Sequence, residues 1–156
     1  MTTKSFRRLL ASAALILAAT PAVADGPFRF YPLTPCRLID TRQPAQAPVM
    51  TADTTGATRS FKIRGTCGLP TDAKAAALNV TIATPTKKGH IRVFPSDLAV
   101  PNISTLNFAG GENAVANGAI IPMPADTASA TDVSIFLYMV ELGTGHMVVD
   151  VTGYFK

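Results

Sequence analysis

The chain has 156 residues, of which 47% are hydrophobic, and it carries 14 lysines and arginines against 10 aspartates and glutamates. Three of the basic residues and none of the acidic ones lie in the first 24 positions, so the other 132 residues carry eleven basic against ten acidic side chains. Nucleic-acid binding depends on clustered cations that meet phosphates, so it is not expected here. A length of 132 residues is sufficient for one domain with its own core.

The N-terminus has the three parts of a secretory signal peptide. Lys4, Arg7 and Arg8 precede the uncharged run Leu9–Ala19, and Ala22-Val23-Ala24 is a small-x-small cleavage signal. The apolar run is about half as long as a membrane-spanning helix of roughly 20 residues. We therefore expect a signal peptide over residues 1–24, no membrane span, and a domain over 25–156 that is secreted or held at the cell surface, with the periplasm as the alternative.

The rest of the chain alternates short apolar runs with turn-forming Gly, Pro, Asn and Asp. Several runs have the period of two that is typical of a half-buried strand. In chain order, the predicted strands are Phe28–Leu33, Arg37–Thr41, Arg59–Arg64, Ala75–Ala83, His90–Phe94, Ser104–Phe108, Ala119–Ile121, Val133–Val140 and Met147–Phe155. This spacing predicts an all-β, single-domain β-sandwich of jelly-roll or Greek-key type with eight or nine strands. We expect Met147–Phe155 to be central and Gln43–Thr58 to be the longest loop.

Two cysteines, Cys36 and Cys67, follow the signal peptide. An exported chain meets an oxidising compartment, in which such a pair usually forms a disulfide. A redox or metal pair fits less well, because there is no Cys-x-x-Cys and no histidine at ligand spacing. The bridge is expected to contribute about 3–4 kcal/mol to stability.

An ordered series of short motifs extends across this domain: Pro35–Arg42 (PCRLIDTR), Cys67–Pro70 (CGLP), Ala77–Thr81 (ALNVT), Ser104–Phe108 (STLNF), Ala116–Ala119 (ANGA) and Val149–Phe155 (VDVTGYF). In this order they resemble a module of secreted bacterial proteins, which occurs alone after a signal peptide or as tandem copies appended to extracellular hydrolases. The resemblance covers Phe28–Phe155. It implies a secreted β-sandwich and brings no catalytic residues with it.

Asp40 and Arg42 form the most polar segment beside an apolar strand. Asp40 shares a strand face with Leu38, so its carboxylate is expected to be partly buried and to need a partner. Arg42 lies two residues on, on the same face, and can pair with it through two hydrogen bonds. We interpret the two residues as a structural ion pair, with a binding site for an anion or a sugar as the alternative.

The sequence indicates no catalytic constellation and no cofactor or metal site. His90 and His146 each open a predicted strand, but Asp150 is roughly 13 Å from His146 along an extended strand, too far to orient its ring. Glu112 and Glu141 lie in turn-like contexts without a facing carboxylate. The sequence therefore favours a non-catalytic surface or extracellular-matrix module that binds a cell-surface or matrix component, a polysaccharide or a second copy of itself.

A carbohydrate-binding module is the alternative function. The Gln43–Thr58 loop and the Asp40/Arg42 pair are then expected to form the rim of the site. Tyr31, Tyr138 and Tyr154 are the candidates for stacking on a sugar ring, since the chain contains no tryptophan.

Overall fold

The computed structural model describes residues 26–156, and the expected signal peptide lies outside the described residues. Nine strands form the described part: β1 (Phe30–Asp40), β2 (Met50–Ala52), β3 (Ala57–Phe61), β4 (Ala75–Ala83), β5 (Gly89–Pro95), β6 (Leu106–Phe108), β7 (Ala114–Pro122), β8 (Val133–Met139) and β9 (Gly143–Phe155). Residues 26–156 contain no helix that is long and apolar enough to cross a membrane.

The strands form two antiparallel sheets that pack as a sandwich. One sheet has the order β1-β9-β4-β7, with β2 paired to the start of β9, and the other has the order β3-β8-β5-β6. If β2 is left out, the remaining eight strands pair in a nested order, the first with the last and so on inwards: β1 with β9, β3 with β8, β4 with β7 and β5 with β6. This nested pairing is the connectivity of a jelly roll, and it confirms the predicted fold class.

The core lies between the sheets and follows the alternation that the sequence predicts. Val133, Ile135, Leu137 and Met139 of β8 are all buried and face the other sheet. Their counterparts in β4 are Ala76, Leu78, Val80 and Ile82. Strand β9 pairs with both β1 and β4, which confirms its central place.

The prediction that Gln43–Thr58 is one long loop is wrong. This segment contains β2 and the first two residues of β3. Met50 and Ala52 are buried while Thr51 between them is exposed, but three residues are too few for the alternation to be recognised.

The predicted strands Phe28–Leu33 and Arg37–Thr41 are one strand, β1. Pro32 and Pro35 suggested a break, since proline cannot donate to a strand ladder. Strand β1 accommodates them because it lies at the edge of its sheet and shifts its register against β9 between Pro32 and Cys36.

The predicted disulfide is confirmed. Cys36 in β1 is bonded to Cys67 in the turn after β3, across a separation of 31 residues. The bond therefore ties an edge strand of one sheet to the chain that leaves an edge strand of the other.

Candidate functional site

Asp40 lies at the end of β1 and is only 4% exposed. The Arg42 side chain donates to both of its oxygens, from Nε to Oδ1 at 2.8 Å and from Nη2 to Oδ2 at 2.7 Å, and Arg37 Nη1 donates to Oδ2 at 3.0 Å. The hydrogen bonds from Arg42 hold the pKa of the Asp40 carboxyl far below its usual range although burial opposes this. The structure thus places Asp40 and Arg42 in the expected contact and adds Arg37, which the sequence analysis did not include.

The surroundings of Asp40 are closed by the protein's own groups. Arg37 also donates to Asp150 of β9, from Nε to Oδ1 at 2.5 Å. Gln46 accepts the Asp40 backbone N–H and donates to the Leu38 carbonyl at 2.9 Å. Both Asp40 oxygens are therefore occupied, while the Arg37 and Arg42 side chains remain 46% and 49% exposed.

A second charged pair lies wholly inside the domain and was missed in the sequence. Arg64 and Asp132 both have side chains with 0% exposure, and Arg64 Nη1 lies 3.1 Å from Asp132 Oδ1. The other carboxylate oxygen accepts the backbone N–H groups of Ile63 and Arg64, each at 2.8 Å. Arg64 also donates to the carbonyls of Ala73 and Pro124, so the pair has the full set of partners that buried charges require.

The two histidines lie in different sheets, His90 in β5 and His146 in β9, and among the described residues neither forms a hydrogen bond or ion pair with a carboxylate. The His90 ring stacks on Tyr138 at 4.8 Å, and its Nε2 accepts a hydrogen bond from Arg92 Nε at 3.1 Å. Burial and the charge of Arg92 lower the pKa of His90, which favours the neutral ring. His146 Nδ1 contacts the Thr41 hydroxyl at 3.2 Å. Neither contact forms a nucleophile–base–carboxylate chain.

Acidic residues are also dispersed. Glu112 accepts the Ala109 backbone N–H at 2.8 Å, and Glu141 pairs with Lys87 at 2.5 Å. Within residues 26–156, no group of three or more His, Cys, Asp and Glu side chains could hold a metal ion.

Strand β7 is the most exposed long strand of the domain and borders one sheet. It pairs with β4 along all nine residues, and no described strand pairs with its other side. The Met123 N–H donates to the Lys74 carbonyl and the Thr84 N–H donates to the Asn113 carbonyl, at 2.9 Å each. Antiparallel pairing therefore turns the odd-numbered residues of β7 towards β4. The backbone N–H and C=O groups of Ala114, Ala116, Gly118 and Ile120 point to the open side.

An apolar groove of about 400 Å³ lies beside this strand, between β7, β5 and residues 96–105. Leu98, Ile103 and Ile120 border it and are 60%, 72% and 62% exposed. The 96–105 segment is firmly attached, because Asn117 donates to the Thr105 carbonyl at 2.7 Å and Arg92 donates to the Pro101 carbonyl at 2.7 Å. Exposed apolar side chains that are held in place around a groove are typical of an interaction surface.

Searches against protein-family models, curated proteins and solved structures found no match. The function of the domain is therefore inferred from its own residues.

We call the open side of β7 together with the neighbouring groove the β7 edge.

Only part of the β7 edge is predicted from the sequence. The predicted strand is Ala119–Ile121, whereas β7 begins at Ala114. Asn117-Gly118 is a dipeptide typical of hairpin turns, but here it lies inside a continuous strand. The available signal was the absence of any charged residue between Ala114 and Pro122.

Proposed function

We propose that this protein is a secreted, non-catalytic module of the cell surface or extracellular matrix that acts by binding or self-association. The observation that carries the proposal is the β7 edge. A partner strand that adds to β7 gains main-chain hydrogen bonds, and its side chains gain an apolar groove for specificity.

The contrast with the other sheet edges supports this proposal. Natural proteins protect edge strands with prolines, charges, bulges or short length. Strand β1 has Pro32, Pro35 and two register shifts, β3 carries Arg59, and β6 has only three residues. Strand β7 has nine residues, no charge, and a single proline at its end. An unprotected edge of this length is expected to have a partner.

Retention on the producing cells tests the proposal. Labelled protein without residues 1–24 is added to washed cells, and the bound fraction is compared with that of Gly118→Lys. Gly118 has open space where a Cβ would lie, so the substitution leaves the domain folded while it places a charge on β7. Thr51 is the one exposed residue of β2, in the same sheet, so Thr51→Lys adds the same charge away from β7 and serves as the control.

We expect the unaltered protein and Thr51→Lys to be retained and Gly118→Lys to be lost. If Gly118→Lys is retained as well as the unaltered protein, or if none of the three binds, attachment to the cell surface through the β7 edge is refuted.

Carbohydrate binding is the second candidate, and an aromatic surface favours it. His90, Arg92, Phe136 and Tyr138 lie together on the outer face of β5 and β8, where His90 stacks on Tyr138 and Arg92 lies 5.3 Å from the Phe136 ring centre. Tyr31 and Tyr154 stack on each other at 5.1 Å elsewhere. If Tyr138→Ala abolishes retention in the same assay and Gly118→Lys does not, sugar recognition by this face replaces the edge proposal.

A further inference from the structure

We propose that the partner of the β7 edge is a second copy of this chain, paired antiparallel to it about a two-fold axis at Gly118. This inference rests on the proposed function and names the partner of the same surface. The two five-stranded sheets then join into one continuous sheet through β7 and its copy.

The centre of β7 sets the register. Gly118 is the fifth of nine residues, so pairing about it uses the whole strand of both copies. The N–H and C=O groups of Gly118 point to the open side, and each copy can therefore donate to and accept from the other's Gly118. Ala116 comes to lie opposite Ile120 of the second copy, and Ala114 opposite Pro122. The proline has no N–H, but its carbonyl accepts from Ala114 at the end of the ladder.

The side chains of β7 suit self-pairing because none repels its counterpart. Strand β7 carries no charge, and on the outer face its central residues are the small Ala116 and Gly118. A two-fold interface requires one surface to complement itself, and a charged strand would place like charges opposite each other.

The exposed apolar side chains beside β7 are buried by the same arrangement. Ile120 is 62% exposed in the single chain and comes to lie beside Ala116 of the second copy. Leu98 and Ile103 border the groove next to the open side of β7, where the second copy approaches, and they are also exposed in the single chain. Burial of this apolar area favours dimerisation, to which the main-chain hydrogen bonds alone contribute only a small net free energy.

A charge swap at Gly118 tests the proposal. Sedimentation velocity is measured on the protein without residues 1–24, alone and as Gly118→Lys and Gly118→Asp, over a range of concentrations. In the proposed register each substitution faces its own copy, so both variants are expected to dimerise roughly tenfold or more weakly than the unaltered protein. An equimolar mixture of the two variants places opposite charges together and is expected to recover the dimer. Thr51→Lys is expected to dimerise like the unaltered protein.

Three results would overturn the inference: an unaltered protein that stays monomeric at every concentration, variants that dimerise as well as it does, or a mixture that does not recover the dimer. The proposed function is decided separately by retention on cells. If the protein is monomeric but is retained on cells in a way that Gly118→Lys abolishes, the proposed function stands and the second copy is not the partner. If the protein dimerises but is not retained on cells, self-association stands and attachment to the cell surface is refuted.

Discussion

Replacement of Asp132 by alanine is expected to lower the free energy of unfolding by about 3–5 kcal/mol, since it leaves the buried Arg64 charge without its partner. The side chains of both residues have 0% exposure. The backbone N–H groups of Ile63 and Arg64 lose their acceptor in the same variant. Chemical denaturation measured by circular dichroism gives the change.

Two comparisons separate this effect from the general loss of a carboxylate. Asp97 is exposed and its side chain makes no hydrogen bond or ion pair within residues 26–156, so Asp97→Ala is expected to change stability by no more than about 0.5 kcal/mol. Asp40→Asn is expected to cost about 1–3 kcal/mol, because Arg37 and Arg42 are half exposed and can turn into water when the charge is lost. An Asp132→Ala protein as stable as Asp97→Ala would show that the buried pair does not stabilise the fold.

The same residue predicts a pH dependence. Burial raises the pKa of Asp132. Hydrogen bonds from the backbone of Arg64 and Ile63 and from the Lys62 side chain lower this pKa by more than burial raises it, so the net shift is downward. A carboxyl with a lowered folded pKa contributes stability above its unfolded pKa of about 3.9, and this stability is lost as the pH falls through the folded pKa. Unfolding free energy is therefore expected to fall more steeply below about pH 4 in the unaltered protein than in Asp132→Asn.

Loss of the disulfide is expected to have the next largest effect. Substitution of both Cys36 and Cys67 by serine releases a crosslink across 31 residues and should cost about 3–4 kcal/mol. For a domain of this size that corresponds to a melting temperature lower by roughly 10–20 °C.

Reductant provides the matched control for this pair. It is expected to lower the melting temperature of the unaltered protein towards that of the double variant and to leave the variant unchanged. Two reactive thiols in the unreduced, denatured protein, or a melting temperature that reductant does not alter, would contradict the stabilising role of this bond.

The regular alternation of β4 and β8, the central place of β9 and the Cys36–Cys67 bond could be predicted because each depends on local pattern or compartment. The Arg64–Asp132 pair could not, because its members are 68 residues apart and only the tertiary fold brings them together. Strand β7 could be predicted only in part, because Asn117-Gly118 in its middle is a dipeptide typical of hairpin turns and only pairing along β4 overrides that local preference. The groove also depends on the position of residues 96–105, which no periodicity indicates.

Amide hydrogen exchange measured by NMR tests most directly the claim that β7 associates through its open side. The protein is compared at a concentration where it is monomeric and at one where it associates. In the monomer we expect fast exchange at Ala116, Gly118 and Ile120 and slow exchange at Asn117 and Ala119, which face β4. Association should slow the first three and leave the other two unchanged. If the first three exchange equally fast in both samples, β7 is not the surface through which this protein associates.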